Sequence, residues 1–485
     1  MLLLNLRRES GPLYRRIYHA LKSSIRGGRL GPAARLPSTR ALAGDLGVSR
    51  NTVMLAYEQL AAEGYLVSRD RSTTAVAEKL VLGAVTESKP SEIKTTPKLS
   101  AYAERLTKNP AMRLSGSSTI RAGVRYDFRY GRPAVDEFPR DIWRRLIAAR
   151  ARRTSRDRLG YASPAGYAPL RAALAEYLRR ARGLSCDAER ILIVNGTQQA
   201  IDLAARVLLD PGDGAVVEEP GYPGATIPFE AAGAKLIRVP VDAEGLDPSR
   251  LPPANARTRL AYVTPCHQFP TGVIMPLERR LALLHWAQRA GAWVLEDDYI
   301  SEFRYEGSPL EALQALDRDG RAIYIGTFSK TLFPALRLAY LVLPHALVRP
   351  FLAAKWAADR FSPMLPQEAL ADFIASGQFE RYLRRAGARN AARRRTLIEA
   401  LRQHFGERVE IAGENTGVHL LVWLNGVRPG ATDALIARAA RAGVGLYSVS
   451  PFYAQPQRRA GLLFGYASLN ETEIRTGIRL LADIY

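Results

Sequence analysis

After residue 190 the sequence alternates short apolar runs with longer segments of helical periodicity, and this alternation restricts the fold more than any other feature. Five runs have the length of a strand and are rich in Val and Ile. They are residues 190–194, 214–219, 260–265, 292–298 and 322–327. Strands that alternate with helices form a mostly parallel sheet covered by helices. We therefore predict an α/β fold in which ligands bind at the carboxyl ends of the strands.

The first 80 residues have a different pattern, with short helices and a tight turn. Apolar residues recur at helical spacing from Leu13 to Ile25, and two glycines follow. Two more helices are predicted next, with Ser38 and Ser49 as N-caps and the turn "GVS" between them. Two short helices joined by such a turn are typical of helix-turn-helix DNA-binding domains. A small helical domain without DNA contacts would show the same periodicity.

Basic residues exceed acidic ones. The chain has 69 Lys and Arg against 47 Asp and Glu, a formal net charge of +22. Residues 1–80 contain 13 basic and 6 acidic residues. An excess of positive charge favours polyanionic partners. Because the basic residues are spread along the whole chain, however, the charge does not locate a binding site.

Residues 80–125 have the composition of a linker. They are rich in Ser, Thr, Lys and Pro and have little hydrophobic periodicity, apart from one short helix near Ala101–Leu106. We therefore predict a DNA-binding domain at 1–79, a linker at 80–125 and a body at 126–485. Within the body we expect a large domain at roughly 150–370 and a smaller C-terminal part at roughly 371–485.

The two cysteines, Cys186 and Cys266, have neither disulfide nor metal-ligand spacing. That usage favours a reducing compartment and no metal site. The N-terminus does not resemble a signal peptide, and no apolar run reaches 18 residues. We expect a cytoplasmic protein without a membrane partner.

Polar residues follow the predicted strands, where the carboxyl ends of a parallel sheet would bring them together. The segment Gly196-Thr197-Gln198 begins a helix directly after the first run, an arrangement suited to a phosphate. Each residue alone is equally compatible with a structural role, as a cap, a turn aromatic or a solvated lysine. The further candidates are Tyr222, Asp297, Tyr299, Thr327, Ser329, Lys330 and Arg337.

The segment "LPSTRALAGDLGVSRNTVMLAYEQLAAEGYL" closely resembles the winged helix-turn-helix of GntR-type repressors. The resemblance implies DNA contacts from the beginnings of two helices and from the wing. The glycine-rich wing of that family is replaced here by "SRDRSTTAVAE", so that arginines would bind phosphates instead. The implied DNA-binding residues are Ser38, Thr39, Arg40, Ser49, Arg50, Asn51, Thr52, Arg69 and Arg71.

The segments "VNGTQQ", "EEPGYPG", "EDDYISEFRY" and "GTFSKTLFPALR" together resemble fold-type I aminotransferases, which use pyridoxal 5′-phosphate. The resemblance implies a Schiff base at Lys330, Asp297 at the pyridine nitrogen, Tyr299 at the 3′ oxygen and Tyr222 stacked on the ring. The phosphate would be held by Gly196, Thr197, Gln198, Thr327, Ser329 and Arg337. "YASPAGYAPLR" resembles the segment whose tyrosine, here Tyr161, reaches the neighbouring subunit's phosphate. A homodimer is therefore implied, and whether its subunits exchange their heads stays open.

Two segments depart from the aminotransferase pattern, one at the cofactor's 3′ oxygen and one at the substrate carboxylate. The aminotransferase "NPTG" is "HQFPTG" here, with Phe269 in place of asparagine and Gln268 beside it as a candidate cofactor contact. "GLLFGYASL" has Leu463 where aminotransferases have the arginine that binds the substrate α-carboxylate. An intact cofactor site beside an incomplete substrate site favours sensing over turnover.

The whole arrangement resembles MocR-type transcription regulators. The resemblance implies operator DNA as partner and, as effector, pyridoxal phosphate or its adduct with an amino compound. The PdxR-like branch controls vitamin B6 synthesis. Because Gly224 stands where an effector carboxylate would need an arginine, we favour the cofactor as effector. The alternatives are an active aminotransferase with an accessory DNA-binding head and a body that binds no cofactor.

Overall fold

The computed structural model describes residues 6, 11–69, 73–78, 98–109, 112, 123–153, 155–254, 257–307 and 310–485. It separates into two compact units, residues 1–98 and 99–485, which we call the head and the body. Arg71 and much of the predicted linker lie outside the described residues, as does the side chain of Arg69.

The head contains the predicted helix-turn-helix followed by a two-stranded wing. Its elements are α1 (Leu13–Arg26), α2 (Thr39–Leu46), α3 (Arg50–Ala62), β1 (Leu66–Arg69) and β2 (Thr73–Val76). The two strands pair antiparallel, so a hairpin forms although the family's glycines are missing. Apolar faces of the three helices meet in one core that includes Ile17, Leu42 and Val53.

Both predicted N-caps are confirmed. Ser38 Oγ accepts a hydrogen bond from the Ala41 amide at 3.1 Å, and Ser49 Oγ accepts one from the Thr52 amide at 3.2 Å. Each bond satisfies an amide that has no partner within its helix. Leu13, which the periodicity placed on the apolar face of α1, is 46% exposed because α1 begins there, beyond the core.

The body is built on an eight-stranded sheet in the order β4, β11, β10, β9, β8, β5, β6, β7. Its strands are β4 (Ile191–Val194), β5 (Gly214–Glu219), β6 (Lys235–Asp242), β7 (Gly245–Leu246), β8 (Thr258–Val263), β9 (Trp293–Asp298), β10 (Ala322–Thr327) and β11 (Ala339–Val342). All five predicted runs are strands of this sheet. β5, β6, β8, β9 and β10 pair in parallel, which confirms the predicted α/β fold.

β11 was not predicted. It runs antiparallel between β4 and β10 and hydrogen-bonds both. The β4 strand therefore points the same way as β10, and its carboxyl end reaches the same edge of the sheet. That placement brings the Gly196 turn beside the segment that carries Lys330.

The body has helices around the eight-stranded sheet and in the C-terminal part. They are α4 (Ala101–Lys108), α5 (Arg140–Arg152), α6 (Ala168–Arg182), α7 (Thr197–Leu208), α8 (Pro223–Ala232), α9 (Leu277–Ala290), α10 (Leu313–Leu316), α11 (His345–Asp359), α12 (Met364–Ala375), α13 (Gln378–Phe405), α14 (Thr432–Arg441) and α15 (Glu471–Ile484). The short helix predicted within the linker is thus confirmed as α4. No helix in the described part of the chain is long and apolar enough to span a membrane.

The C-terminal part has its own sheet, in the order β12, β13, β16, β15, and its own core. Its strands are β12 (Val409–Ala412), β13 (His419–Leu424), β15 (Tyr447–Ser448) and β16 (Ala460–Gly465). α13 and α15 pack against each other and supply apolar residues to this core. β3 (Tyr126–Asp127) pairs in parallel with β14 (Val444–Gly445), which ties this early strand of the body to its C-terminal part.

Candidate functional site

A cavity of about 230 Å³ lies at the carboxyl ends of β4, β5, β8, β9 and β10. Parallel strands end at one edge of the sheet, so residues far apart in sequence meet there. The lining residues are Thr197, Gln198, Tyr222, Tyr262, Thr264, Phe269, Asp297, Tyr299, Thr327, Ser329, Lys330, Pro334 and Arg337. Most of the candidates from the sequence are thereby brought together.

One end of the cavity is built for an anion. α7 begins at Thr197, so the free amides of its first turn face this end. The Arg337 guanidinium donates to the Asn195 carbonyl at 2.6 Å and holds the turn. Gly196 has φ +97°, and a Cβ there would lie 2.6 Å from Arg337 Nη2. Only glycine permits both the backbone conformation and the approach of the arginine.

A second set of side chains holds the turn at Asn195 and Gly196 in place through hydrogen bonds and an ion pair. Asp359 accepts hydrogen bonds from Asn195 Nδ2 at 2.6 Å and Gln199 Nε2 at 2.8 Å. The buried Lys355 amine pairs with the same carboxylate at 2.5 Å. The sequence analysis missed this support because Asp359 follows the turn by 164 residues and has no motif of its own.

Asp297 is the buried acid of the cavity. Its Oδ2 accepts a hydrogen bond from Tyr262 Oη at 2.6 Å. Its Oδ1 is buried and has no hydrogen-bond partner among the described residues. Burial raises the pKa of Asp297 to about 7, against the lowering effect of the Tyr262 bond. A donor or cation placed at Oδ1 would satisfy this carboxylate.

Tyr299 follows the same strand and, like Asp297, has a polar atom that lacks a hydrogen-bond partner among the described residues. Its hydroxyl is buried and makes no hydrogen bond within the described part of the chain. The ring packs edge-on against His267 and Phe269, with centroids 5.8 and 6.4 Å away. A polar molecule bound in the cavity could satisfy both buried atoms, the Asp297 Oδ1 and the Tyr299 hydroxyl.

Lys330 lies between these groups. Its Nζ donates to the Gly131 carbonyl at 2.8 Å. Burial lowers the pKa of Lys330, and the nearby Asp297 charge partly opposes that effect. A larger neutral fraction makes the amine a better nucleophile toward a carbonyl compound.

Two predicted contacts are not brought into this cavity. The Gln268 side chain is buried in its own loop, where Nε2 donates to the carbonyls of Pro220 and Phe269 at 2.8 and 2.6 Å. Tyr161 is 83% exposed. The Arg360 guanidinium lies 4.7 Å from the Tyr161 ring centroid. Gln268 thus shapes the loop that presents Phe269, while the partner-subunit role of Tyr161 stays a prediction.

The place expected for a substrate carboxylate is apolar. Leu463 is fully buried in a cluster with Phe269, Leu421, Val449 and Phe452. Arg459, near it in sequence, pairs with Glu410 at 2.5 Å. Among the described residues that line the cavity, the cationic side chains are Lys330 and Arg337.

The head carries the second candidate site. The beginnings of α2 and α3 lie side by side, and Arg50 Nε donates to Thr39 Oγ1 at 3.4 Å. Arg40, Arg50 and Asn51 are exposed. Ser38, Ser49 and Thr52 are engaged in the caps, with Ser49 Oγ 2.8 Å from Thr52 Oγ1. The exposed side chains and first-turn amides form a polar, basic edge suited to a nucleic-acid backbone and base edges.

Comparison with known proteins gives a family match for each of the two parts of the chain. Residues 13–76 match the family of bacterial regulatory proteins, gntR family, and residues 134–479 match aminotransferase class I and II. The chain is 39% identical over 480 residues to the probable rhizopine catabolism regulatory protein MocR of Rhizobium meliloti, covering 98% of this chain and 94% of that protein. It is 31% identical to the HTH-type pyridoxine biosynthesis transcriptional regulator PdxR of Corynebacterium glutamicum, covering 94% of this chain and 92% of that protein.

A solved structure supports the fold of the body. LysN, the α-aminoadipate aminotransferase of Thermus thermophilus, is complexed with N-(5′-phosphopyridoxyl)-L-leucine in that structure. It superimposes with a TM-score of 0.70 at 30% identity, covering 80% of this chain and 96% of LysN.

Proposed function

Because the chain belongs to the MocR-type transcription regulators of the GntR family, we propose that its head binds operator DNA and that pyridoxal 5′-phosphate binds in its body. The observation that carries the proposal is the cavity in which Lys330, Asp297 and Arg337 face one space. We assign residues 1–79 to the DNA-binding domain, 80–125 to the linker and 126–485 to the aminotransferase-like domain.

The donors and acceptors of the cavity fit this cofactor. The unpartnered Asp297 Oδ1 and Tyr299 hydroxyl suit a pyridinium nitrogen and the 3′ oxygen, respectively. Arg337 and the first turn of α7 suit a phosphate dianion. When bound, pyridoxal phosphate supplies an electrophilic aldehyde and an electron-accepting ring. Lys330 provides the amine for that aldehyde, and Asp297 holds a proton at the ring nitrogen.

Regulation is favoured over turnover by the substrate side of the cavity. An amino acid substrate needs its carboxylate oriented, typically by a bidentate arginine. Leu463 and its apolar neighbours offer no such group. We therefore propose that the aminotransferase-like body acts as a sensor.

We propose pyridoxal phosphate itself as the effector and control of vitamin B6 synthesis as the output. A Cβ at Gly224 would lie 2.4 Å from the Tyr222 ring, so the loop has no room for an arginine in this conformation. An effector carboxylate would thus lack a partner at that place. PdxR, a relative at 31% identity, is named a pyridoxine biosynthesis regulator. The other candidate is a pyridoxal phosphate adduct with an amino compound, and MocR is named for rhizopine catabolism.

A homodimer completes the proposal. Tyr161 and Arg360 are stacked on each other and Tyr161 is 83% exposed, which suits a segment that contacts a second subunit. We propose that Tyr161 reaches the phosphate of the neighbouring subunit, with exchange of the heads between subunits as a further possibility to be tested.

The test compares the full chain with its Lys330→Ala variant. An operator is first obtained by selection from random duplexes, and its affinity is then measured at fixed salt as pyridoxal phosphate is added. The wild type should acquire the visible absorbance of a lysine-bound cofactor, and its operator affinity should change. The variant should bind the operator but lose the absorbance and most of the cofactor effect. Superimposable titrations would contradict sensing through Lys330.

The second candidate function is an active aminotransferase, favoured by the complete cofactor side of the cavity. Steady transfer of amino groups between common amino and keto acids, lost in Lys330→Ala, would support it. A protein that shows no cofactor absorbance after incubation with pyridoxal phosphate would contradict both candidates.

A further inference from the structure

Leu55 is a large apolar side chain on the exposed side of α3. The opposite side of this helix is buried in the head core through Val53, Ala56, Tyr57 and Leu60. Leu55 itself is 49% exposed. In the described part of the head, the other large apolar side chains exposed to a similar degree are Leu13 on α1 and Val67 on β1. Single exposed leucines are common on surfaces, so the position of Leu55 on the helix has to carry the argument.

The position of Leu55 places it beside the DNA-reading residues of the helix. Asn51 and Leu55 are four residues apart and therefore lie on the same face of α3. Arg50 and Asn51 begin the helix and are exposed. In helix-turn-helix proteins the second helix enters the major groove and its N-terminal part contacts base edges. When Asn51 faces the bases, Leu55 faces the groove one turn further along.

The chemistry of leucine limits what it can recognise there. Its side chain neither donates nor accepts a hydrogen bond, while most features of the major groove are donors or acceptors. The apolar feature is the C5 methyl group of thymine. Covering that methyl buries apolar surface on both partners.

We propose that Leu55 contacts the C5 methyl of an operator thymine and thereby contributes to sequence specificity. The proposal rests on the operator binding assigned to the head above. Asn51 would contact a neighbouring base or its phosphate, so that one face of α3 combines polar and apolar recognition. A contact between Leu55 and a second copy of the chain is the competing explanation for its exposure.

The test removes single methyl groups from the DNA. In the selected operator each thymine is replaced in turn by deoxyuridine, which lacks only the C5 methyl, and dissociation constants are measured at fixed salt. At one position per half-site the wild type should bind about fourfold more weakly, corresponding to about 0.8 kcal/mol for one buried methyl. Leu55→Ala should bind the unmodified operator more weakly and show no further loss at that position.

Leu13→Ala is the matched control, because Leu13 is 46% exposed but lies on α1. It should retain the wild-type sensitivity to deoxyuridine. The proposal is overturned when no thymine position matters to the wild type, or when Leu55→Ala keeps the full sensitivity. A Leu55→Ala variant with altered subunit association and unchanged operator affinity would also overturn it. Failure to select any operator, by contrast, would contradict the DNA-binding function itself.

Discussion

At the scale of single residues, the cavity has two distinctive features. One is the close approach of Arg337 to Gly196, and the other is an Asp297 oxygen without a hydrogen-bond partner among the described residues. Gly196 lets the Arg337 guanidinium reach the Asn195 carbonyl at 2.6 Å. Asp297 keeps one carboxylate oxygen without a partner inside the described protein. Both features suit the binding of a charged, planar molecule more than they serve the stability of the fold.

Gly196→Ala should weaken pyridoxal phosphate binding without unfolding the body. The added Cβ would lie 2.6 Å from Arg337 Nη2 and would displace the guanidinium from the phosphate end. Loss of one charge-assisted hydrogen bond, about 1.5–3 kcal/mol, predicts a dissociation constant raised roughly 10- to 150-fold. Absorbance titration measures it.

The matched control is Gly291→Ala. Gly291 also has a positive φ, +64°, but a Cβ there meets nothing within 4 Å. It therefore tests the general effect of an alanine at positive φ, away from the cavity and without displacing an arginine. Equal losses of cofactor affinity in the two variants would show that such a general effect, and not the Arg337 contact, is responsible.

Asp297→Asn should make the cofactor-free protein less sensitive to pH. The pKa of Asp297 is raised by burial from 3.8 to about 7, so the folded state holds a proton that the unfolded chain releases. The stabilisation from this proton is complete below about pH 4 and is lost as the pH rises to about 7. As the pH rises across this window, the free energy of unfolding of Asp297→Asn should therefore increase relative to that of the wild type, by at most about 1.4 kcal/mol per pH unit.

Thermal unfolding midpoints between pH 4.5 and 7.5 give the comparison. Asp136→Asn serves as control, since the Asp136 side chain is 90% exposed. A constant difference between Asp297→Asn and the wild type at every pH would show that Asp297 does not titrate in this range.

At the scale of elements, the helix α4 packs against α8, the helix that begins next to the cavity. Arg105 donates from Nε and Nη2 to the Ala231 carbonyl at 3.0 and 2.8 Å. Ala231 lies near the end of α8, the helix that begins directly after Tyr222. Tyr222 lines the cofactor cavity. A change at Tyr222 on cofactor binding would thus move the helix on which α4 is docked.

Arg105→Ala should uncouple the cofactor cavity from the DNA-binding site of the head. We expect pyridoxal phosphate to bind as in the wild type, while its effect on operator affinity falls by at least half on a free-energy scale. Lys108→Ala is the control, because the Lys108 side chain is 78% exposed and pairs with Glu104 of the same helix. An undiminished cofactor effect in Arg105→Ala would exclude α4 as the connection.

At the scale of the whole molecule, specific and non-specific DNA binding have different origins. The net charge of +22 is spread over the chain and attracts any duplex. In the proposed function, base recognition belongs to the head, where Arg40, Arg50 and Asn51 are exposed. The ratio of the affinity for the operator to the affinity for a random duplex therefore measures base recognition by the head alone.

Arg50→Ala should lower operator affinity by about 1–3 kcal/mol, the value of one bidentate guanine contact, and leave cofactor absorbance unchanged. Affinity for a random duplex should change by no more than about twofold, because one charge among many is lost. Both affinities must be measured at the same salt concentration. An equal loss on operator and random duplex would mean that Arg50 contacts phosphate only.

The sequence by itself determined the elements whose cause is local. The caps at Ser38 and Ser49, the helices of the head and the five strand-length runs follow from capping, helical spacing and β-branched composition. The order of polar residues after the strands indicated where a ligand would bind, because parallel strands end at one edge.

Only the tertiary structure decided which groups complete the site. Tyr262 meets Asp297 across 35 residues, Lys330 meets the Gly131 carbonyl across 199, and Asp359 supports Asn195 across 164. β11 joins β4 to β10 although nothing in its own four residues specifies an antiparallel neighbour on each side. These partners are chosen by how the layers pack, since no periodicity links positions so far apart along the chain.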